Sequence, residues 1–150
     1  MASYFFDTSA LSKHYHPEQG TTEVDRILNE IGSRYLISRL LVVEIESAFA
    51  MKVRTNVISM HDLQLLQKRF ATDLSTRRFE TVRMLQGHFS EAAQLLRKYA
   101  PTQSLRTLDA LQLSVALDMH RKGLLDYFVC ADEKLCKVAQ AESLSVINPT

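Results

Sequence analysis

The sequence predicts an α/β fold built on a mainly parallel β-sheet, and two observations lead to this prediction. Short apolar runs, typical of buried strands, alternate along the 150-residue chain with longer segments of helical periodicity. Strands that alternate with helices are typical of a parallel sheet covered on both faces. Apolar residues make up 46% of the chain, and no repeat or linker divides it. We therefore predict a single domain over residues 1–150.

The first half of the chain contains two predicted strands and four predicted helices. Thr8 or Ser9 is placed to cap the first helix, and Ser38 is placed to cap the third. Gly32 is placed to end the second helix. In order, the predicted elements are a strand at 4–6, helices at 8–15 and 21–31, a strand at 35–37, a helix at 39–54, and a helix that begins at 59 or 62 and ends near 74.

The second half of the chain repeats the alternation of strand and helix. Pro101 lies beyond the end of one predicted helix, Gly123 ends the next, and Asp132 is placed to cap the last. The predicted elements are a strand at 79–82, helices at 86–99 and 107–122, a strand at 127–130, a helix at 132–142 and a strand at 144–147.

The basic charge of the chain is concentrated in residues 52–83. This segment holds seven basic and three acidic residues, a net charge of +4, although the whole chain carries only +1. A basic flank beside an acidic centre would attract phosphate, which suits a nucleic-acid substrate. For any single residue, a solvated helix face is an equally good explanation.

Nothing in the sequence indicates a membrane or secreted protein. No apolar stretch approaches the roughly 20 residues of a membrane helix, and the first residues lack the basic region of a signal peptide. We therefore expect a cytoplasmic protein. Cys130 and Cys136 form no CxxC or zinc pattern, so we expect two buried free thiols.

Four of the seventeen acidic residues stand out because apolar residues surround them in the sequence: Asp7, Glu44, Asp109 and Asp132. Carboxylates are rarely buried unless they are paired or bind a metal. Two of the four follow predicted strands, and ligand sites of open parallel sheets form where strand order reverses. Each acid also has a simpler explanation: a helix N-cap for Asp7 and Asp132, a partly exposed helix residue for Glu44, and a favourable first-turn charge for Asp109.

A cluster of these carboxylates would require a cation. Two carboxylates about 5 Å apart repel each other by roughly 3 kcal/mol at an effective dielectric constant near 20. Ligands that are all oxygen favour Mg²⁺ or Mn²⁺ over zinc. Such an ion activates water and neutralises charge on a phosphate, so the predicted reaction is phosphodiester hydrolysis.

At these residues the chain resembles a PIN-domain ribonuclease, and specifically a VapC-type toxin of a toxin–antitoxin system. Four stretches in order carry the resemblance, and a fifth resembles a frequent ending of the family. They are FDTSAL at 6–11, SRLLVVE at 38–44, LRTLDALQL at 105–113, VCADEKL at 129–135 and VINP at 146–149.

The resemblance implies a three-layer α/β/α sandwich in which the four acids form the metal-binding catalytic set, with Mg²⁺ or Mn²⁺ as cofactor. It implies that Ser9 orients Asp7, a role for which plain helix capping is the alternative. Three residues depart from the family pattern: Cys130 replaces a frequent Ser or Thr, Gln112 a frequent His, and Ser114 a frequent Ala.

The resemblance also implies the partners of the protein. These are a structured RNA substrate such as transfer or ribosomal RNA, an antitoxin protein that blocks the site, and a second copy in a homodimer. The helices predicted over 39–74 are candidates for an antitoxin groove or a dimer face, and ordinary core packing is the alternative for each of their residues.

Three other functions remain open from the sequence. The first is a PIN-domain nuclease of RNA processing, outside any toxin–antitoxin system. The second is a receiver-like signalling domain that binds Mg²⁺, against which counts the lack of an acidic neighbour beside Asp7. The third is an RNA-binding module with a decayed site, against which counts the presence of all four acids.

Overall fold

A computed structural model describes residues 1–150 as five strands and seven helices. Every predicted element is present, with ends that differ by a few residues at most. The elements are β1 (Ser3–Phe6), α1 (Thr8–Tyr15), α2 (Thr21–Leu28), β2 (Arg34–Ser38), α3 (Arg39–Arg54), α4 (Met60–Ser75), β3 (Glu80–Val82), α5 (Gln86–Tyr99), α6 (Thr107–Arg121), β4 (Tyr127–Val129), α7 (Glu133–Ala141) and β5 (Val146–Ile147).

The five strands form one parallel sheet in the order β3-β2-β1-β4-β5. The first three strands are added in one direction, and the chain then returns to the other side of β1 to add β4 and β5. Strand order therefore reverses between β1 and β4, which are hydrogen-bonded neighbours. This is the position at which α/β sheets form ligand crevices beyond the carboxyl ends of their strands.

Side chains of successive strand residues point to opposite faces, and this alternation separates two cores. Tyr4 and Phe6 of β1 belong to a core of 18 buried residues formed with helices α1 to α4. Phe5 belongs to a second core of 21 buried residues formed with α5, α6 and α7. The sheet thus lies between two layers of helices, which confirms the predicted three-layer sandwich.

Three helices begin at the caps expected from the sequence, which are Ser38, Ser59 and Asp132. Helix α1 is capped by Asp7 and not by Thr8 or Ser9, because the Asp7 carboxylate accepts the amide hydrogen of Ser9. Ser38 caps α3 by accepting a hydrogen bond from the amide of Leu41 at 3.1 Å. Ser59 caps α4, and Asp62 completes a capping box with it. No helix is both long and apolar enough to cross a lipid bilayer.

Helix α2 ends three residues before the predicted end. It ends at Leu28, because the side chain of Asn29 closes the last turn by donating to the carbonyl of Asp25 at 2.8 Å. Gly32 is the turn residue before β2, with a left-handed φ of 82°. Helical periodicity continues in the sequence past Asn29, and it therefore overestimated the length of this helix.

Candidate active site

Asp7 lies at the carboxyl end of β1, beside β4, and is only 4% exposed. Its Oδ2 accepts hydrogen bonds from the hydroxyl of Ser9 at 2.6 Å and from the Ser9 amide at 3.1 Å. Burial raises the pKa of Asp7 to about 6, against the opposing effect of the two Ser9 hydrogen bonds. Asp7 is therefore a carboxyl group whose ionised form the protein alone supports poorly.

Glu44 extends from the second turn of α3 toward the same end of the sheet. Its Oε1 accepts hydrogen bonds from the Gln112 amide at 2.8 Å and from the Thr8 hydroxyl at 3.2 Å. Burial raises the pKa of Glu44, and the bonds from Gln112 and Thr8 lower it only in part. Two donors from α1 and α6 thus hold one oxygen of this carboxylate.

Asp109 and Asp132 complete the set from the first turn of α6 and the N-cap of α7. Oδ1 of Asp132 accepts from the amides of Lys134 and Leu135 at 2.9 and 3.3 Å. The guanidinium of Arg106 lies 3.4 Å from Oδ2 of Asp109 and 3.8 Å from Oδ2 of Asp132. Burial raises the pKa of Asp109 despite this neighbouring positive charge.

The four carboxylates form one electrostatic cluster at the point where strand order reverses. The charges of Asp109 and Glu44 both raise the pKa of Asp7, and Asp109 also raises that of Glu44. Asp132 in turn raises the pKa of Asp109. No three of these acids converge on a single point, so an ion here would be held by one or two carboxylates together with water.

The donor chemistry of the cluster fits a hard divalent cation. One oxygen of each carboxylate accepts hydrogen bonds from neighbouring residues. The second oxygen makes at most a weak contact with the protein. The oxygens without a hydrogen bond from the protein are Oδ1 of Asp7, Oε2 of Glu44, Oδ1 of Asp109 and Oδ2 of Asp132. Asp7 and Asp132 therefore each use one oxygen to cap a helix, as the simpler explanation predicted. Helix capping does not account for the second oxygen of either residue.

Ser9 links the two central strands around Asp7. Its hydroxyl donates to Asp7 and accepts a hydrogen bond from the amide of Ala131 at 3.0 Å, just beyond β4. The neighbouring thiol of Cys130 lies 3.9 Å from Oδ2 of Asp7. Cys130 and Cys136 are both free and buried, which confirms the expectation for the cysteines.

Sequence reasoning missed the contribution of Gln112 and Thr8. In the sequence Gln112 stands out only as a departure from the family pattern, yet its buried amide donates a hydrogen bond to Glu44 directly. The sequence does contain one indication of this role, which is a single amide within the apolar run of α6. A buried polar group requires hydrogen-bond partners. The spacing alone does not identify a partner in α3, 68 residues away.

Much of the basic segment, residues 52–83, does not lie beside the acidic cluster as the sequence predicted. Lys68, Arg69 and Arg78 line a cleft with His14, at the end of α1 that is remote from Asp7. Lys52 pairs with Glu18 at 3.0 Å in the turn after α1. Much of the basic charge that the sequence placed beside the acids is therefore at the opposite end of the helical layer.

Fold and site together define an α/β protein with a carboxylate cluster at the reversal point of a parallel sheet. The family model of the PIN domain matches residues 4–141. The chain therefore belongs to the PIN domain family of nucleases, as the sequence motifs predicted. Membership of this family does not support the alternative that the protein is a receiver-like signalling domain. No curated protein matches the chain.

Solved structures of similar fold include components of toxin–antitoxin systems. FitAcB from Neisseria gonorrhoeae matches with a TM-score of 0.69 and 18% identity, over 97% of both chains. VapC20 of Mycobacterium tuberculosis, a toxin that cleaves the sarcin–ricin loop, matches with a TM-score of 0.65 and 16% identity, over 89% of this chain and 93% of its own. A toxin–antitoxin complex from Klebsiella pneumoniae matches with a TM-score of 0.65 and 19% identity, over 98% of both chains.

Proposed function

We propose that the protein is a metal-dependent endoribonuclease whose catalytic residues are Asp7, Glu44, Asp109 and Asp132. The observation that carries the proposal is the position of four carboxylates at the reversal point of the sheet, each with one oxygen free of hydrogen bonds from the protein. One or two Mg²⁺ or Mn²⁺ ions would relieve the repulsion among these groups. All of residues 1–150 would form one nuclease domain, because the helices pack on a single sheet.

The residues around the cluster would have three different roles: metal binding, positioning of the carboxylates and contact with the RNA. A divalent cation on the four carboxylates would supply activation of water and neutralisation of phosphate charge. Ser9 and Gln112 hold Asp7 and Glu44 in place, which limits the reorganisation needed for binding. Arg106, with a side chain 79% exposed, lies at the rim of the cluster and is placed to contact an RNA phosphate.

The proposal includes the toxin role and a protein antitoxin. It is supported by the fold shared with VapC20 and with the toxin–antitoxin complex from Klebsiella pneumoniae. A groove of about 360 Å³ also begins beside Glu44 and continues along α3 to Arg54. Its exposed apolar residues include Val43, Met51 and Leu108. A segment of the antitoxin in this groove would lie next to the carboxylates and block them.

The nuclease proposal is tested with a circular, structured RNA, which only an endonuclease can open. The wild-type protein should linearise this RNA with Mg²⁺ or Mn²⁺ and remain inactive with EDTA. Asp7→Asn and Asp109→Asn should each reduce cleavage by about 100-fold or more, because each removes a charged ligand. Glu46→Gln is the matched control, since Glu46 is exposed two positions from Glu44.

Cleavage that survives EDTA, or that survives both substitutions, would overturn the assignment. Sequencing the RNA ends in cells that express wild type or Asp7→Asn would identify the target. A small reading frame beside the gene, whose product suppresses cleavage and co-purifies with the chain, would separate the toxin role from RNA processing. Light scattering would test the proposed homodimer against the 17.1 kDa monomer.

A further inference from the structure

We infer that Gln112 is a positioning residue that determines which oxygen of Glu44 faces the crevice. The inference rests on the proposed function, because it assigns to Gln112 a role in the affinity of that site for metal. Gln112 is fully buried in α6 and contacts α1, α3 and the end of β2. Gln112 is the side chain that forms hydrogen bonds with both Glu44 and Ser38, the N-cap residue of α3.

The hydroxyl of Ser38 determines the orientation of the Gln112 amide. The Ser38 oxygen accepts the amide hydrogen of Leu41 at 3.1 Å in its capping role. Its own proton is then available for Oε1 of Gln112, which lies 2.6 Å away in a fully buried contact. A flipped amide would leave the Ser38 proton without an acceptor and would place a carbonyl oxygen against the carboxylate of Glu44. The helix cap therefore allows only one orientation of the amide.

In this orientation, the amide nitrogen points its two hydrogens at the site. One hydrogen bond goes to Oε1 of Glu44 at 2.8 Å and the other to the Thr8 hydroxyl at 3.2 Å. The Thr8 hydroxyl donates in turn to the same Oε1 at 3.2 Å. Oε1 of Glu44 is thus engaged twice, so that Oε2 is the oxygen left for a ligand. The whole network is neutral apart from Glu44.

The inference predicts that Gln112 changes metal affinity more than it changes the fold. The test compares wild type with Gln112→Met, which keeps a similar volume but removes the donors. The measured quantity is the Mn²⁺ concentration that gives half of the maximal rise in melting temperature, with half-maximal activation of RNA cleavage as a second measurement. We expect this concentration to rise about tenfold or more, as is usual when a residue that holds a metal ligand is replaced.

Two further variants separate positioning from a structural role. Ser114→Ala is the matched control, since Ser114 is also fully buried in α6 but bonds only to the carbonyl of Leu111. It should leave the half-saturating Mn²⁺ concentration unchanged. Gln112→His restores a nitrogen donor toward Glu44, and it should recover part of the lost affinity. If Gln112→Met does not fold, Ser38→Ala serves in its place, because it frees the amide to rotate and should raise the Mn²⁺ requirement.

The outcomes distinguish this inference from the proposed function. A lower melting temperature for Gln112→Met with an unchanged half-saturating Mn²⁺ concentration would overturn the inference and leave the nuclease proposal intact. A wild-type protein without metal-dependent cleavage would overturn the nuclease proposal. A raised Mn²⁺ requirement that Gln112→His partly reverses would establish the positioning role.

Discussion

Two groups of buried or half-buried acids lie at opposite ends of helix α1, and they differ in how their negative charge is compensated. At the far end of α1, Asp25 lies 2.6 Å from Nδ1 of His14, and Asp73 accepts the Tyr15 hydroxyl at 2.6 Å and lies 3.5 Å from Arg78. Arg78 also contacts the other ring nitrogen of His14 at 3.2 Å. Each acid of this network therefore has a specific partner.

Two of the four carboxylates at the reversal point of the sheet, Asp7 and Glu44, lack such a partner, since no cationic side chain lies within salt-bridge distance of them. The exposed Arg106 lies 3.4 Å from Asp109 and 3.8 Å from Asp132. Buried charge without compensation costs stability, so a fold retains it where a ligand supplies the missing charge. The far network, by contrast, has the composition of a structural cluster.

The largest effect expected from this difference is on the pH dependence of stability, through Asp7. Its pKa rises from about 3.8 in the unfolded chain to about 6 in the fold. The stability that this group contributes is complete below pH 4 and is lost as the pH rises through 6. The loss amounts to about 3 kcal/mol. Without divalent ions, Asp7→Asn should therefore unfold at higher urea concentration than wild type at pH 7, and this difference should vanish near pH 4.

The measurement is urea unfolding in EDTA at both pH values. Glu44 and Asp109 contribute in the same direction in both proteins, and the loss of the Asp7 charge also removes its repulsion with them at pH 7, which adds to the expected difference. If Asp7→Asn is no more stable than wild type at pH 7, the charge of Asp7 is compensated in the fold and this prediction is wrong.

A smaller loss is expected when the compensated network is broken. Asp73→Ala removes the acceptor of the Tyr15 hydroxyl, which is buried, and the partner of Arg78. An unsatisfied buried hydroxyl costs about 2 kcal/mol. Urea unfolding should show this loss, whereas cleavage by the folded protein should match wild type. Reduced cleavage at equal folded fraction would contradict a purely structural role.

Divalent ions should stabilise the protein by a somewhat smaller amount. At ten times the dissociation constant, Mg²⁺ or Mn²⁺ should stabilise the fold by about 1.4 kcal/mol, or about 4 °C in melting temperature for a domain of this size. Asp73→Ala should retain the increase and Asp109→Asn should lose it. An equal increase in both variants would indicate that the ions bind elsewhere.

The smallest effect is expected for the exposed acid next to the cluster. Glu46 accepts one hydrogen bond, from Gln67 at 3.1 Å, and lies at the surface of α3. Glu46→Gln should change stability by less than about 0.5 kcal/mol and leave cleavage unaltered, whereas Glu44→Gln should impair it. Equal loss of cleavage in the two variants would show that the choice between these acids is wrong.

Local patterns explain why the fold was predictable and parts of the site were not. Strand and helix periodicities and the cap at Ser38 act over a few residues, so they are visible in one sequence. The acids were recognisable because a carboxylate in apolar sequence is unusual. The amide of Gln112 and the distant position of Arg78 depend on contacts across many residues, which periodicity does not record.

Pairing between β1 and β4 also determines when the candidate site can form. Asp7 and its neighbour Cys130 are 123 residues apart in the chain, and Ser9 reaches its partner Ala131 only after β4 has joined the sheet. Contacts of such long sequence separation form slowly and require most of the chain. The four carboxylates therefore come together only once β4 has paired with β1, and a chain without this pairing lacks the assembled crevice.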